Sequence, residues 1–169
     1  MQINVSQLLR ESIGATRDYR INEAVDITGD GEGSQIEGEC HMLRTQRSIL
    51  TTCRLGTKVR LTCSRCLNSF SQPLKLSFEE EYFPTVDATT GVPLPLPEEA
   101  GNFTIDEHHI LDLTEAIRQY ALLAIPMKPL CRRECAGLCQ RCGKNLNEGD
   151  CDCTKQEIDP RWSELTKLL

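Results

Sequence analysis

Four close pairs of cysteines, eight of the ten in the chain, limit what this sequence can become more than any other feature. The C-terminal run reads Cys131-Arg-Arg-Glu-Cys135-Ala-Gly-Leu-Cys139-Gln-Arg-Cys142-Gly143, followed by Cys151-Asp-Cys153. A zinc ion takes four thiolates at tetrahedral angles, about 2.3 Å from the metal. Two cysteines separated by two residues can turn back onto one ion, because the tight turn aims backbone amides at the sulfurs. Cys139-Gln-Arg-Cys142 is a knuckle of that kind, with Gly143 free to take the left-handed conformation. Cys151 and Cys153 supply the second pair, so Cys139, Cys142, Cys151 and Cys153 are expected to form one closed site.

A second knuckle, Cys63-Ser-Arg-Cys66, lies far upstream with no cysteine partner close in sequence, while Cys131 and Cys135 remain without a site. Pairing these leftovers gives a second site of Cys63, Cys66, Cys131 and Cys135, and two structural zinc ions in all. A competing picture stays open, in which Cys131 or Cys135 serves the C-terminal site and Cys63 and Cys66 are a redox pair. A thioredoxin-like role requires a βαβ setting, and this segment reads as a β-hairpin. An iron–sulfur cluster ranks below zinc because no cluster-type spacing is present. Cys40 and Cys53 sit in strands with no evident partner and are expected as small core residues.

Residues 1–10 lack the basic-then-apolar layout of a signal peptide. The longest apolar stretch, residues 120–126, is far too short for a membrane span. The expected location is therefore the cytoplasm, where thiols are kept reduced and metal is their natural use. The formal net charge of −6 hides strong segregation. Residues 40–78 carry Arg44, Arg47, Arg54, Lys58, Arg60, Arg65 and Lys75 and no acid; residues 79–116 carry ten acids and no base. Residues 117–145 are again basic, with net +5. A shared ion at the second site would join the two basic stretches, and zinc binding of this kind contributes on the order of 10 kcal/mol to folding.

The periodicities predict an α+β fold: an antiparallel β-rich body with a few helices and a C-terminal cysteine-rich zinc knuckle. Lys58-Val-Arg-Leu-Thr-Cys63 alternates, with Val59, Leu61 and Cys63 on one face; Leu74, Leu76 and Phe78 alternate likewise. Antiparallel β is expected from Ile36 to Phe83, after a Gly-rich turn at 29–34. Four units follow: a body with an N-terminal helix (1–84), an acidic Pro-rich loop (85–104), a helix packing on the body (105–130) and a zinc-binding tail with a terminal helix (131–169). Ser6 reads as the N-cap of the first helix and Gly14 as its stop. Asp112, with Glu115 three places on, reads as the cap of the second, which Pro126 ends. Asp159 and Pro160 predict the terminal helix, with Trp162, Leu165 and Leu169 on its apolar side.

No catalytic constellation stands out. His41, His108 and His109 have no companion in a recognisable motif, and Gly29-Asp-Gly-Glu-Gly lacks the lysine a phosphate-binding loop needs. Closed four-thiolate sites leave no position for a metal-bound water. No enzyme activity is expected.

Taken together, Cys63-Ser-Arg-Cys66-Leu67 with Glu79-Glu-Glu-Tyr82, Asp112-Leu113 leading to Ile125-Pro126 and Cys131, Gly137-Leu-Cys139-Gln-Arg-Cys142-Gly143-Lys-Asn145-Leu-Asn147, and Asp159-Pro160-Arg161 resemble the YceD family of large-subunit ribosomal RNA accumulation proteins. The resemblance spans nearly the whole chain. It implies a role in making, processing or protecting large-subunit ribosomal RNA, with no established catalytic activity. It also implies that the site of Cys139, Cys142, Cys151 and Cys153 is the dispensable one, because some relatives lack those residues. The expected partner is large-subunit ribosomal RNA or a pre-ribosomal particle. The expected RNA contacts are Arg44, Arg47, Arg54, Lys58, Arg60, Arg65, Arg132, Arg133, Arg141 and Lys144. Two other readings follow from the residues: an adaptor that holds a ribosomal protein or nuclease through its acidic stretches, and a redox sensor that releases zinc on oxidation of Cys63 and Cys66.

Overall fold

Alternation of apolar and polar side chains draws most of the first 84 residues into long strands that bury one face. The computed structural model describes residues 1–29, 31–96, 103–151 and 153. Its elements are β1 (Gln2–Asn4), α1 (Ser6–Arg10), β2 (Thr16–Asp26), β3 (Gly33–Arg44), β4 (Ile49–Thr62), β5 (Ser69–Pro84), β6 (Phe103–Ile105), β7 (Ile110–Asp112) and α2 (Thr114–Ala124). The strands form a single sheet in the order β1-β7-β6-β5-β4-β3-β2. All neighbours are antiparallel except β5 and β6, which are parallel, so the sheet is mixed at one place. The chain is strand-rich with two helices among the described residues, and no helix there is long and apolar enough to cross a membrane.

Along β4 the odd-numbered residues Ile49, Thr51, Cys53, Leu55, Thr57 and Val59 are buried, while Arg54, Lys58 and Arg60 face solvent. Leu74, Leu76 and Phe78 of β5 are buried beside them. Helices α1 and α2 cover this apolar face with Leu8, Leu9, Ala116, Ile117 and Ala121. Tyr120 stacks on Phe78 with ring centroids 4.6 Å apart, and its hydroxyl donates to Glu80 Oε1 at 2.6 Å.

Several local expectations shift. The long antiparallel strands begin at Thr16 rather than Ile36; β2 buries only Ile21 and Val25, a spacing of four that does not distinguish a strand from a helix. Helix α1 has Val5 at its N-cap position instead of Ser6. It ends at Arg10, and Gly14 (φ +92°) shapes the turn into β2 instead of stopping the helix. Helix α2 has Leu113 at the N-cap position. Asp112 closes β7 and serves the first turn from one residue further out, accepting from the Thr114 amide at 2.8 Å. Residues 85–96 are tied by the Asp87 carboxylate, which accepts from the amides of Thr89 and Thr90, and by Leu94 N–H donating to Thr85 O at 2.9 Å. The terminal helix expected from Asp159 lies outside the described residues.

The expectation of unpartnered Cys40 and Cys53 is corrected: they face each other in the β3–β4 register and form a disulfide. Each stands four residues from the closing pair Arg44 and Ile49, so the hairpin itself brings them together.

Gly38 sets how closely β3 approaches β4. Its φ of +153° lies where side chains are disfavoured, and a Cβ there would collide with Arg54 O and stand 2.8 Å from Leu55 Cα. Both obstacles are backbone and cannot step aside. Gly38→Ala is expected to destabilise the body by about 3 kcal/mol or more, read as a lower denaturant midpoint; an unchanged midpoint contradicts this account.

A second, small apolar cluster sits apart from the main core: Cys63, Cys66 and Cys135, ringed by Phe70, Leu130 and Leu138. It lies just beyond the end of β4, and there the site is built.

Candidate metal centre

β4 delivers Cys63 one residue past its end, where pairing with β5 stops and the chain must turn. Cys63 N–H donates to Asn68 O at 2.9 Å and Leu67 N–H to Cys63 O at 3.0 Å. Leu67 takes φ +60° to close this knuckle. The distal knuckle repeats the pattern: Cys139 N–H reaches Lys144 O at 2.8 Å and Gly143 N–H reaches Cys139 O at 2.9 Å. Gly143 has φ +72°, in the position equivalent to Leu67. The same backbone turn thus presents both Cys-x-x-Cys pairs.

The structure gathers Cys63, Cys66, Cys131 and Cys135 into one group and Cys139, Cys142, Cys151 and Cys153 into another, with all four sulfurs of each within 4.8 Å of one another. In the first group Cys63 and Cys135 sulfurs are 3.8 Å apart and those of Cys66 and Cys131 3.7 Å. A tetrahedron with thiolate bonds of about 2.3 Å has edges of about 3.8 Å, so the spacing suits an ion at the centre. In the second group the Cys139–Cys151 separation is 3.4 Å. Both groups of four could hold a metal ion.

The electrostatics favour a cation. The Cys63 thiol is lowered to about 6 by backbone hydrogen bonds, that of Cys131 first and then those of Cys66 and Arg65. Cys139 is lowered to about 6 by the backbone amides of Cys142 and Arg141. Cys131 is pushed up to about 12 by burial and by its thiol neighbours, and Cys153 to about 12 by Cys142, burial and Cys139. Thiols this close cannot all ionise alone, because each thiolate raises the cost of the next. A divalent ion removes that conflict.

The tail docks on the first knuckle through more than sulfur. Ser64 N–H donates to Pro129 O at 2.8 Å, and Arg65 Nη1 to Cys135 O at 2.9 Å. Gly137, at φ +77°, allows the close approach: a Cβ there would stand 3.2 Å from Arg65 O.

The basic residues divide into two places. Arg54, Lys58 and Arg60 are exposed on the solvent face of β4, running toward the Cys63 knuckle. Their β5 neighbours on that face, Ser77, Pro73 and Ser71, together with Lys75 opposite Gly56, include no acid. On the other side Glu39 faces Arg54, and Glu32 lies 3.8 Å from Arg60. That pair is exposed on both partners and holds the guanidinium weakly. Arg65, Arg132, Arg133, Arg141 and Lys144 belong to the two knuckles and the segment between them, all exposed. The expectation that one ion gathers every basic residue onto one side is corrected for Arg44 and Arg47. They sit at the opposite end of β4, about 40 Å away at about 3.3 Å per residue, and Arg44 donates to Ser48 O at 3.1 Å.

Sequence reasoning missed two polar contacts. His41 does have a carboxylate companion, since Asp18 Oδ1 lies 2.6 Å from its Nδ1 across the β2–β3 register. Asn147, from the loop between Cys142 and Cys151, donates Nδ2–H to Cys135 Sγ at 3.3 Å. Cysteine spacing carries no signal for either.

The family described as "Large ribosomal RNA subunit accumulation protein YceD" matches residues 51–169. An uncharacterized protein of Mycobacterium tuberculosis (strain ATCC 25618 / H37Rv) is 27% identical over 148 residues, covering 86% of this chain and 67% of the relative. The "Large ribosomal RNA subunit accumulation protein YCED homolog 1, chloroplastic" of Arabidopsis thaliana is 24% identical over 164 residues, covering 85% of this chain and 51% of that protein. No solved structure gives a significant match.

Proposed function

The chain belongs to the YceD family, and we propose that it is a non-catalytic cytoplasmic ribosome assembly factor supporting synthesis, processing or accumulation of large-subunit ribosomal RNA. It does so by holding RNA or a pre-ribosomal particle against a basic face, with two zinc ions as structural staples. The name of the plant relative, a large ribosomal RNA subunit accumulation protein, is consistent with this role.

The observation that carries the reading is the strip of Arg54, Lys58, Lys75 and Arg60, unbroken by acid on the β5 side, which runs toward Arg65. A flat sheet face with projecting cations suits phosphates, which are matched by charge and by little else. The closed four-cysteine groups offer the ion no open position for a reacting water, which favours a structural over a catalytic metal.

The adaptor reading is weakened by how the acids of residues 79–116 are used. Glu79 accepts from Thr52, Glu80 from Tyr120 and Glu81 from Ser48. Asp87, Asp106 and Asp112 each accept backbone amides of their own turns. Among the described residues these carboxylates organise the fold, which leaves the adaptor reading the acidic stretch 23–39, where Glu23, Glu37 and Glu39 are exposed on β2 and β3.

Binding through phosphates releases counterions and must weaken as salt rises. Affinity of the intact protein for large-subunit ribosomal RNA, measured at 50 and 200 mM salt, is expected to fall by at least ~10-fold. A flat response, or no binding at either salt, would remove direct RNA contact from the mechanism.

A further inference from the structure

Asn147 belongs by sequence to the distal site and by contact to the proximal one. It lies in the loop between Cys142 and Cys151, and that loop is folded back by Leu146 N–H donating to Gly137 O at 2.9 Å and by the Leu138–Asn145 bridge. From there its side chain reaches the other cluster. Oδ1 accepts from Ala136 N–H at 2.9 Å, Arg132 Nη2 at 2.6 Å and Arg132 Nε at 3.2 Å. With three donors on the oxygen, the amide has one sensible orientation, and Nδ2 must face Cys135 Sγ at 3.3 Å and Asn145 Oδ1 at 2.7 Å. Every polar atom of this amide is engaged.

A hydrogen bond onto a ligand sulfur draws off part of its negative charge and fixes its direction, so outer partners of this kind hold metal ligands in place. Here the outer partner of Cys135 comes from a segment whose ends, Cys142 and Cys151, are ligands of the second cluster. When that cluster is empty, Asn147 is held by its hydrogen bonds to Arg132 and Ala136 and by the Leu146–Gly137 and Leu138–Asn145 contacts, and the loop's two ends are no longer pinned. We infer that Asn147 is a positioning residue coupling the two metal sites, so that an ion bound by Cys139, Cys142, Cys151 and Cys153 tightens the ion bound by Cys63, Cys66, Cys131 and Cys135. By reciprocity, filling the proximal site also tightens the distal one. The distal knuckle is then a lock on the staple rather than an independent ornament. The inference rests on both clusters holding metal.

Cadmium tests it, because cadmium NMR gives a separate signal for each four-cysteine site, and loss to a chelator can be timed per site in the full chain. Asn147→Ala is expected to speed loss from the proximal site roughly 10- to 100-fold and, by reciprocity, to weaken cadmium binding at the distal site while the proximal one is filled. Asn147→Asp keeps the oxygen for Arg132 and Ala136 but sets a carboxylate oxygen against Cys135 Sγ and Asn145 Oδ1 in place of the N–H donor, and is expected to speed proximal loss at least as much. Emptying the distal site with Cys142→Ser and Cys151→Ser should speed proximal loss to a similar extent, and adding Asn147→Ala to that variant should change nothing more. Unchanged proximal loss in both Asn147 variants overturns the coupling. So does a distal affinity indifferent to whether the proximal site is filled, or compounding in the combined variant. Failure of the wild-type chain to bind cadmium at either cluster overturns the two-metal reading itself and the coupling with it.

Discussion

Replacing Cys63 by serine is expected to lower bound zinc from two ions to one per chain and to free the tail from the sheet while the sheet stays folded. Cys63 is fully buried, and Cys66 and Cys135 are 3% and 2% exposed, so of the four thiols only Cys131 is open to solvent, and among the described residues no other metal-ligating side chain joins the group. Zinc binding at such a site is worth on the order of 10 kcal/mol, far more than the two hydrogen bonds that otherwise join Ser64 and Arg65 to residues 129 and 135, at about 1 to 3 kcal/mol each. Without the ion, those bonds and the small apolar ring of Phe70, Leu130 and Leu138 are too few to hold the tail. The main core contains none of the site's cysteines, being formed by residues of β2–β7, α1, α2 and their connections. The body should therefore keep its cooperative unfolding transition while trypsin gains access at Lys128, Arg132 and Arg133. If Cys63→Ser still binds two ions, or its tail remains as resistant as the wild type's, the shared site does not exist.

Much of this architecture is legible in the residues, for reasons that differ by region. The alternation in β4 and β5 is strict because one face is covered by helices and the other is wet, and a period of two then has no competing explanation. The knuckles are legible because cysteines in paired Cys-x-x-Cys spacing have few other uses than holding a metal. Strand β2 escapes because its buried residues are sparse. Strands β6 and β7 are three residues each and exist only through their partners β5 and β1, which no local pattern encodes. The pairing of Cys40 with Cys53 is within reach: once the hairpin is centred between Arg44 and Ile49, their equal distance from the turn makes them opposite. Lack of neighbours in sequence hides it, whereas a sheet supplies neighbours by register. Asn147 is out of reach for a deeper reason, since its role depends on how one loop folds over another cluster.

The same register separates the basic residues that act together from those that share only a composition. On β4 and β5, Lys58, Arg60 and Lys75 project from one face within a few residues of one another, and their β5 neighbours are serine and proline. Replacing all three by glutamine should cost three phosphate contacts, and each contributes about 0.7 to 0.9 to the slope of log affinity against log salt. The slope is expected to drop by about 2 to 3, and affinity for large-subunit ribosomal RNA near 0.15 M salt to fall on the order of 100-fold. These side chains are exposed and lie on the solvent face, so the stability of the body should hardly change. Arg44→Gln with Arg47→Gln removes two cations of the same acid-free stretch from the far end of β4, and should leave both slope and affinity near the wild-type values. The reverse pattern, with binding lost at Arg44 and Arg47 and kept in the triple variant, would move the RNA to the β3–β4 turn. The zinc staple would then have no part in shaping the contact face.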